Sequence, residues 1–205
     1  MTLLERRRAL IAAAMANDSI LPSGYTQLEY IQSDGTQYID TGFTPNQDTR
    51  VVVDFQFLNT SASFLFGTRR TVSAGGFTFN ISSGGEFVTA YGNTGNTVIS
   101  EANTNRNIVD KNKNVLDLNG FKTTLKANTF NSPQSLAIFA CNTQASGYTN
   151  KAKAKIYSFK IYNDDVLARD YIPCINPNGE VGLYDIVNKA FVGNSGSGTL
   201  IGGEL

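Results

Sequence analysis

The sequence predicts an all-β protein: an antiparallel jelly-roll β-sandwich over residues 20–205, preceded by a short α-helical arm at 1–19. Three observations predict it. Short runs of alternating apolar and polar residues recur along the chain, which is the signature of strands with one face in a core. Clusters of Gly, Asn, Asp and Ser separate the runs, and these residues make turns. After residue 20 nothing reads as a long helix. At 205 residues the chain is long enough to bury a sizeable core as one sandwich.

The arm, MTLLERRRALIAAAMAN, differs from everything after it. Thr2 and Glu5 have capping-box spacing. Leu4, Ile11 and Met15 fall on one helix face, and Arg8 narrows that stripe. A lone helix of this length is marginal in water, so the arm is expected to pack either on its own sandwich or on another subunit. Leu3, Leu4, Arg7, Ile11 and Met15 are its candidate assembly contacts. The alternative is a secretory signal, with a basic start at 6–8, a short apolar region at 9–14 and an Ala14-Met15-Ala16 cleavage site. Leu3-Leu4-Glu5 ahead of the basic cluster and the Ala-rich apolar region favour the arm.

The opening unit is 21–42, LPSGYTQLEYIQSDGTQYIDTG. Two short alternating runs flank Ser33-Asp34-Gly35, a turn in which Asp bonds its own backbone and Gly supplies positive φ. A hairpin-like unit is expected. Residues 49–58, TRVVVDFQFL, form the clearest strand, with Val51, Val53, Phe55 and Phe57 inward and Asp54 and Gln56 outward. Residues 63–68 follow, with Phe64 and Phe66 in register. Residues 77–81 put Phe77, Phe79 and Ile81 inward and Thr78 and Asn80 outward. Residues 86–91 align Phe87, Thr89 and Tyr91. Shorter strands are expected at 97–100 and 106–110, and KNKN at 111–114 reads as the turn into 115–118. Asn119-Gly120 is the strongest hairpin signal and leads into 121–125. The apolar run 135–141 has strand length. Residues 153–162, KAKIYSFKIY, alternate with Lys155, Tyr157, Phe159 and Ile161 on one face. The last strands lie at 166–172 and in a small cap at 174–205.

Two stretches carry a resemblance. The opening unit resembles the start of the concanavalin A-like, laminin-G type lectin domains found in tailed-phage virion proteins and in prophage or surface proteins of gut bacteria. The tail, with Lys160-Ile161-Tyr162, Ala168 to Pro173, Gly182 to Asp185 and Asn194 to Thr199, resembles the close of the same family. The resemblance implies a virion protein, on capsid or tail, that adheres to host-surface or mucosal glycans. Other virion proteins or further copies of the chain would be its partners, with the arm as anchor. A purely structural decoration module and a secreted bacterial surface adhesin are the alternatives.

Composition limits the chemistry. The formal net charge is zero, which argues against a nucleic-acid binder. No apolar run reaches the roughly 18 residues of a membrane span. Histidine is absent, so Ser-His-Asp and Cys-His catalysis are excluded. A retaining glycosidase needs two carboxylates about 5 Å apart; on a strand that means a run such as Glu-x-Asp-x-Glu or Glu-x-x-x-Glu, and the sequence has none. The chain is therefore read as non-enzymatic and without a cofactor. Calcium needs six or more oxygens, and Asp110, Asn112, Asn114 and Asp117, like Asn163 to Asp165, are better read as turn formers. Cys141 and Cys174 read as small buried hydrophobes, with a disulfide between them left open. A glycan site needs aromatic and converging polar groups. With no Trp in the chain, the candidates are Tyr91 and Tyr148, each beside a glycine, and Asp54, Gln56, Thr78 and Asn80 on an outward sheet face. Arg69 could meet an acidic sugar.

Overall fold

The computed structural model describes residues 20–71 and 74–205. The predicted arm, with Leu3, Leu4, Arg7, Ile11 and Met15, lies outside them. The described residues form strands, turns and loops without a helix, arranged as two sheets. They make a β-sandwich consistent with the jelly roll that the alternation predicts.

The chain opens with β1 (Thr26–Gln27) and β2 (Tyr30–Asp34). Asp34 Oδ1 accepts the Thr36 N–H at 3.0 Å and Gly35 has φ of 101°, so the turn works as its residues imply. It does not close a hairpin, however. β3 (Ile39–Asp40) joins the other sheet, so this turn carries the chain from one layer to the other. β4 (Thr49–Phe57) returns to the large sheet, with Val51, Val53, Phe55 and Phe57 buried as expected.

β5 (Ser63–Arg69), β6 (Gly76–Ile81), β7 (Glu86–Gly92) and β8 (Thr97–Glu101) build the small sheet as a meander. A bulge in β5 sets Phe64 opposite Asn80 and Phe66 opposite Phe79. The two rings, expected on one face, therefore lie on opposite faces, and Phe66 belongs to the core. β9 (Arg106–Asn112), β10 (Val115–Leu118) and β11 (Phe121–Thr124) extend the large sheet. The turn between β9 and β10 is tighter than KNKN suggests: Lys113 takes positive φ, and Lys111 is left inside β9, fully buried.

The apolar run near 135–141 becomes two strands. β12 (Ala137–Ile138) and β13 (Cys141–Thr143) both pair with β5, the first antiparallel and the second parallel. The reversal between them is made at Phe139, fully buried with φ of 63°, a conformation that a bulky residue rarely adopts. β14 (Gly147–Thr149) completes that edge.

β15 (Lys153–Asn163) is the hub of the large sheet. One edge pairs with β4 along its length; the other pairs with β2 in its first half and with β16 (Val166–Ile175) in its second. β17 (Val181–Asp185) and β18 (Ala190–Val192) follow outward, and β19 (Ile201–Gly203) pairs with β2. Residues 174–205, expected as a cap, thus add strands to the large sheet. Leu21, Cys174 and Tyr184 form a small satellite cluster there. The main core lies between the sheets, where Phe55 meets Phe79 and Phe87 edge-on at ring distances of 5.6 and 6.3 Å.

Candidate functional site on the outer face of the large sheet

A bulge in β15 creates the site. Ala154 and Ile156 face the core, and strict alternation would send Ser158 inward next. The register shifts between Ile156 and Ser158, leaving Tyr157 without a partner on β4. The core face resumes at Phe159 and Ile161, so Tyr157 and Ser158 both stay at the surface. Bulges re-aim side chains in this way.

Tyr157 gathers charged neighbours. Its hydroxyl donates to Gln56 Oε1 at 3.2 Å. The Arg106 guanidinium lies over its ring, 3.6 Å from the centroid. Asp54 holds that guanidinium through two bonds of 2.9 Å, and Glu29 lies 3.6 Å away. Hydrogen bonding to Asp54 keeps Arg106 charged more firmly than an ordinary arginine. Tyr30 meets Tyr157 edge-on at 5.6 Å, and the Lys155 amine lies 3.9 Å over the Tyr30 ring. A Cβ on Gly203 would overlap that ring, so glycine is required for Tyr30 to lie where it does. Glu29, Asp54, Arg106 and Tyr157 line a groove of about 450 Å³. Lys160 and Asp170, paired at 2.9 Å, line it as well.

The same three strands repeat the arrangement. Arg50 of β4 forks onto Asp110 of β9 at 2.8 and 2.6 Å and lies 5.2 Å from the Tyr162 ring of β15. Arginine and aspartate exchange strands between the two units. Bidentate pairing of this kind fixes both groups in orientation.

Of the residues expected to bind a ligand, Asp54 and Gln56 belong to this site. Thr78 and Asn80 do not join them. They lie on the other sheet and are buried, opposite Gly67, Phe64, Val88 and Ala90 in the small-sheet register. The expectation that all four line one sheet face is corrected on both counts. Tyr91, expected at the surface, is buried in the core, and its hydroxyl donates to Gln47 O at 2.7 Å. Alternation within 86–91 already put it beside Phe87, and the adjacent glycine obscured that. Arg69 is half-buried, with Nε donating to Thr143 at 3.1 Å. Tyr148 is half-buried at the edge of the small sheet, stacked on Tyr38 at 3.9 Å. Its hydroxyl donates to Asp40 at 2.6 Å. Burial and the Asp40 carboxylate push that phenol up to about 12. Burial acts against ionised Asp40, yet bonds from Ser135, Tyr148 and the Gly42 N–H outweigh it and hold the carboxyl below its usual value.

Sequence reasoning missed Tyr157, Tyr30, Lys155 and Arg106. The usable signal was KAKIYSFKIY itself, in which unbroken alternation would bury either Lys155 with Phe159 or Lys160 with Ile156. Only a bulge avoids both.

Asp54 and Glu29 face Arg106, and Asp170 faces Lys160. Among the described residues no group of three or more His, Cys, Asp or Glu could hold a metal. In the oxygen-rich stretch near residue 110, Asp110 pairs with Arg50 and Asp117 accepts the Gly120 N–H. Cys141 and Cys174 are free, and burial pushes their thiols up to about 11 and about 12. No helix among the described residues is long and apolar enough to cross a membrane. No protein-family model and no curated protein matches the chain.

Proposed function

We propose that the chain is a non-enzymatic virion protein of a tailed phage or prophage, displayed on capsid or tail, whose sandwich adheres to host-surface or mucosal glycans. The observation that carries the adhesion reading is the Tyr157 platform. Two tyrosines, Gln56 and four charged side chains (Glu29, Asp54, Arg106 and Lys155) converge beside an open groove, with Arg106 and Tyr157 pre-oriented by hydrogen bonds. Few precisely held polar groups beside aromatic surface are what a sugar site requires. The virion context rests on the two stretches, 21–42 and 160–199, that resemble phage lectin-like domains. Single sites of this kind are weak, and several copies on one particle would supply avidity. The arm at 1–19 is the proposed anchor.

The test is a glycan array probed with the full chain clustered at high valency. Binding is expected, and Tyr157→Ala is expected to reduce it about tenfold or more while the circular dichroism of the fold is retained. A blank array, or signal unaffected by Tyr157→Ala, removes the adhesion reading at this site.

One observation favours the second reading, a structural decoration module. Where the two sheets end, β8 and the β10–β11 hairpin flank a cleft of about 460 Å³, with Phe121 81% exposed at its lip. Exposed apolar surface of that kind marks contact sites between proteins.

A further inference from the structure

Resting on the adhesion reading, we infer that the ligand is an acidic glycan, a chain bearing carboxylates, bound lengthwise along the outer face of β15 and the residues just before it. Lys151, Lys153 and Lys155 alternate with Ala152, Ala154 and Ile156, which are fully buried. The period of two therefore places all three amines on the outer side.

Among the described residues, their lack of an ion pair separates them from most cations of the large sheet; Lys111, which also has none, is buried, and Lys122 lies on the edge strand β11. Arg50, Arg106, Lys113, Lys160 and Arg169 each lie within 4 Å of a carboxylate. Among the described residues no carboxylate comes that close to Lys151, Lys153 or Lys155. Asp34 stands opposite Lys153 in the β2–β15 register but spends Oδ1 on Thr36. The row is a run of three lysines without an ion pair in a chain whose formal net charge is zero, with the Asp34 charge as the one that Lys153 acts on across the register.

The aromatic neighbours sharpen the ligand class. Lys155 lies over Tyr30, Lys151 lies 5.7 Å from the Tyr38 ring, and Arg106 covers Tyr157. Tyr38 is also stacked on Tyr148. These rings seat cations beside the aromatic surface, which suits a sugar that carries a carboxylate. Beside the row lies a polar depression of about 430 Å³, where Thr36, Asn59 and Ser61 lie next to Lys151 and Lys153, with the Asp34 carboxylate also in its lining. From Lys151 to Tyr157 the strand runs about 20 Å, long enough for a chain of several sugars.

The experiment compares acidic glycans with uncharged counterparts: polygalacturonate against its methyl ester, and hyaluronan against soluble chitin oligosaccharides. Each is offered to the full chain immobilised at high density. Retention of an acidic partner over its neutral counterpart is expected, weakening as salt rises from about 50 to about 300 mM. The triple variant Lys151→Gln, Lys153→Gln, Lys155→Gln is expected to lose about tenfold or more in affinity with unchanged thermal unfolding. Equal binding of acidic and neutral partners, or an undiminished triple variant, overturns the acidic-glycan inference and leaves the adhesion reading standing. Tighter binding of single-stranded DNA than of any acidic glycan also overturns it. No binding to these four glycans overturns it as well, and a blank glycan array in addition removes the adhesion reading.

Discussion

Lys111 is the most unusual single residue. Its amine lies between the sheets, 2.8 Å from Thr89 Oγ1, with the Phe77 and Tyr91 rings at 4.8 and 5.6 Å and no carboxylate within ion-pairing distance among the described residues. Burial pushes its pKa down to about 7 from 10.5. The folded state therefore holds fewer protons than the unfolded state between those values, and stability rises with pH across that window. Below about 7 the lysine is charged in both states and the burial penalty is complete. Urea unfolding is expected to show stability climbing from neutral pH toward pH about 10 by a few kcal/mol. Lys111→Met is expected to flatten that slope and to stabilise the protein most at pH about 6. A slope unchanged in the variant would assign it to other groups. KNKN gave no sign of this, because turn chemistry and a strand end look alike in sequence. Only the pairing of Lys111 with Val51 and Leu116 makes it a strand residue.

Among the elements, β4 was legible and β15 was not. β4 alternates without interruption, so Thr49–Phe57 could be assigned inner and outer faces from side-chain type alone. β15 carries one residue too many for its partner, and the bulge is defined by β4 rather than by anything local. The same holds for β5, where the bulge separates Phe64 from Phe66. The candidate site lies where alternation failed. Asp54 and Gln56 were found because their strand is regular; Tyr157 and Lys155 were misplaced because theirs is not. The element that fixes the platform from behind is β19, through Gly203. Gly203→Ala is expected to displace the Tyr30 ring at a cost of about 1–3 kcal/mol and to weaken glycan retention together with stability. Binding and melting temperature both unchanged would mean that Tyr30 needs no such support.

For the molecule as a whole, the layer architecture followed from turn chemistry and alternation, but the assignment of strands to layers did not. Residues 30–40 look like a hairpin because their turn is well made, yet their two strands pair with residues 137–138 and 153–156, far along the chain. Such partners leave no local trace. Thr78 and Asn80 were grouped with Asp54 and Gln56 for the same reason, since polar outward positions look alike whichever sheet they occupy. At this scale the open end of the sandwich bears on assembly. If copies of the chain associate there, Phe121→Lys is expected to reduce the mass seen in sedimentation while each chain keeps its fold. An unchanged mass would exclude that end from the interface.

The forked edge of β15 also governs the order in which the protein comes together. β2 is held by residues 153–156 on one side and 201–203 on the other, so the first long strand of the large sheet has no partner until residues 153–156 have been synthesised and lacks its second until 201–203. Contacts of such long sequence separation make folding slow. The small-sheet meander, whose strands pair in succession, can form while the rest is still emerging. β2 keeps one edge open until the tail arrives, and it is in that interval, before β19 closes over Tyr30, that the nascent chain most needs protection from its neighbours.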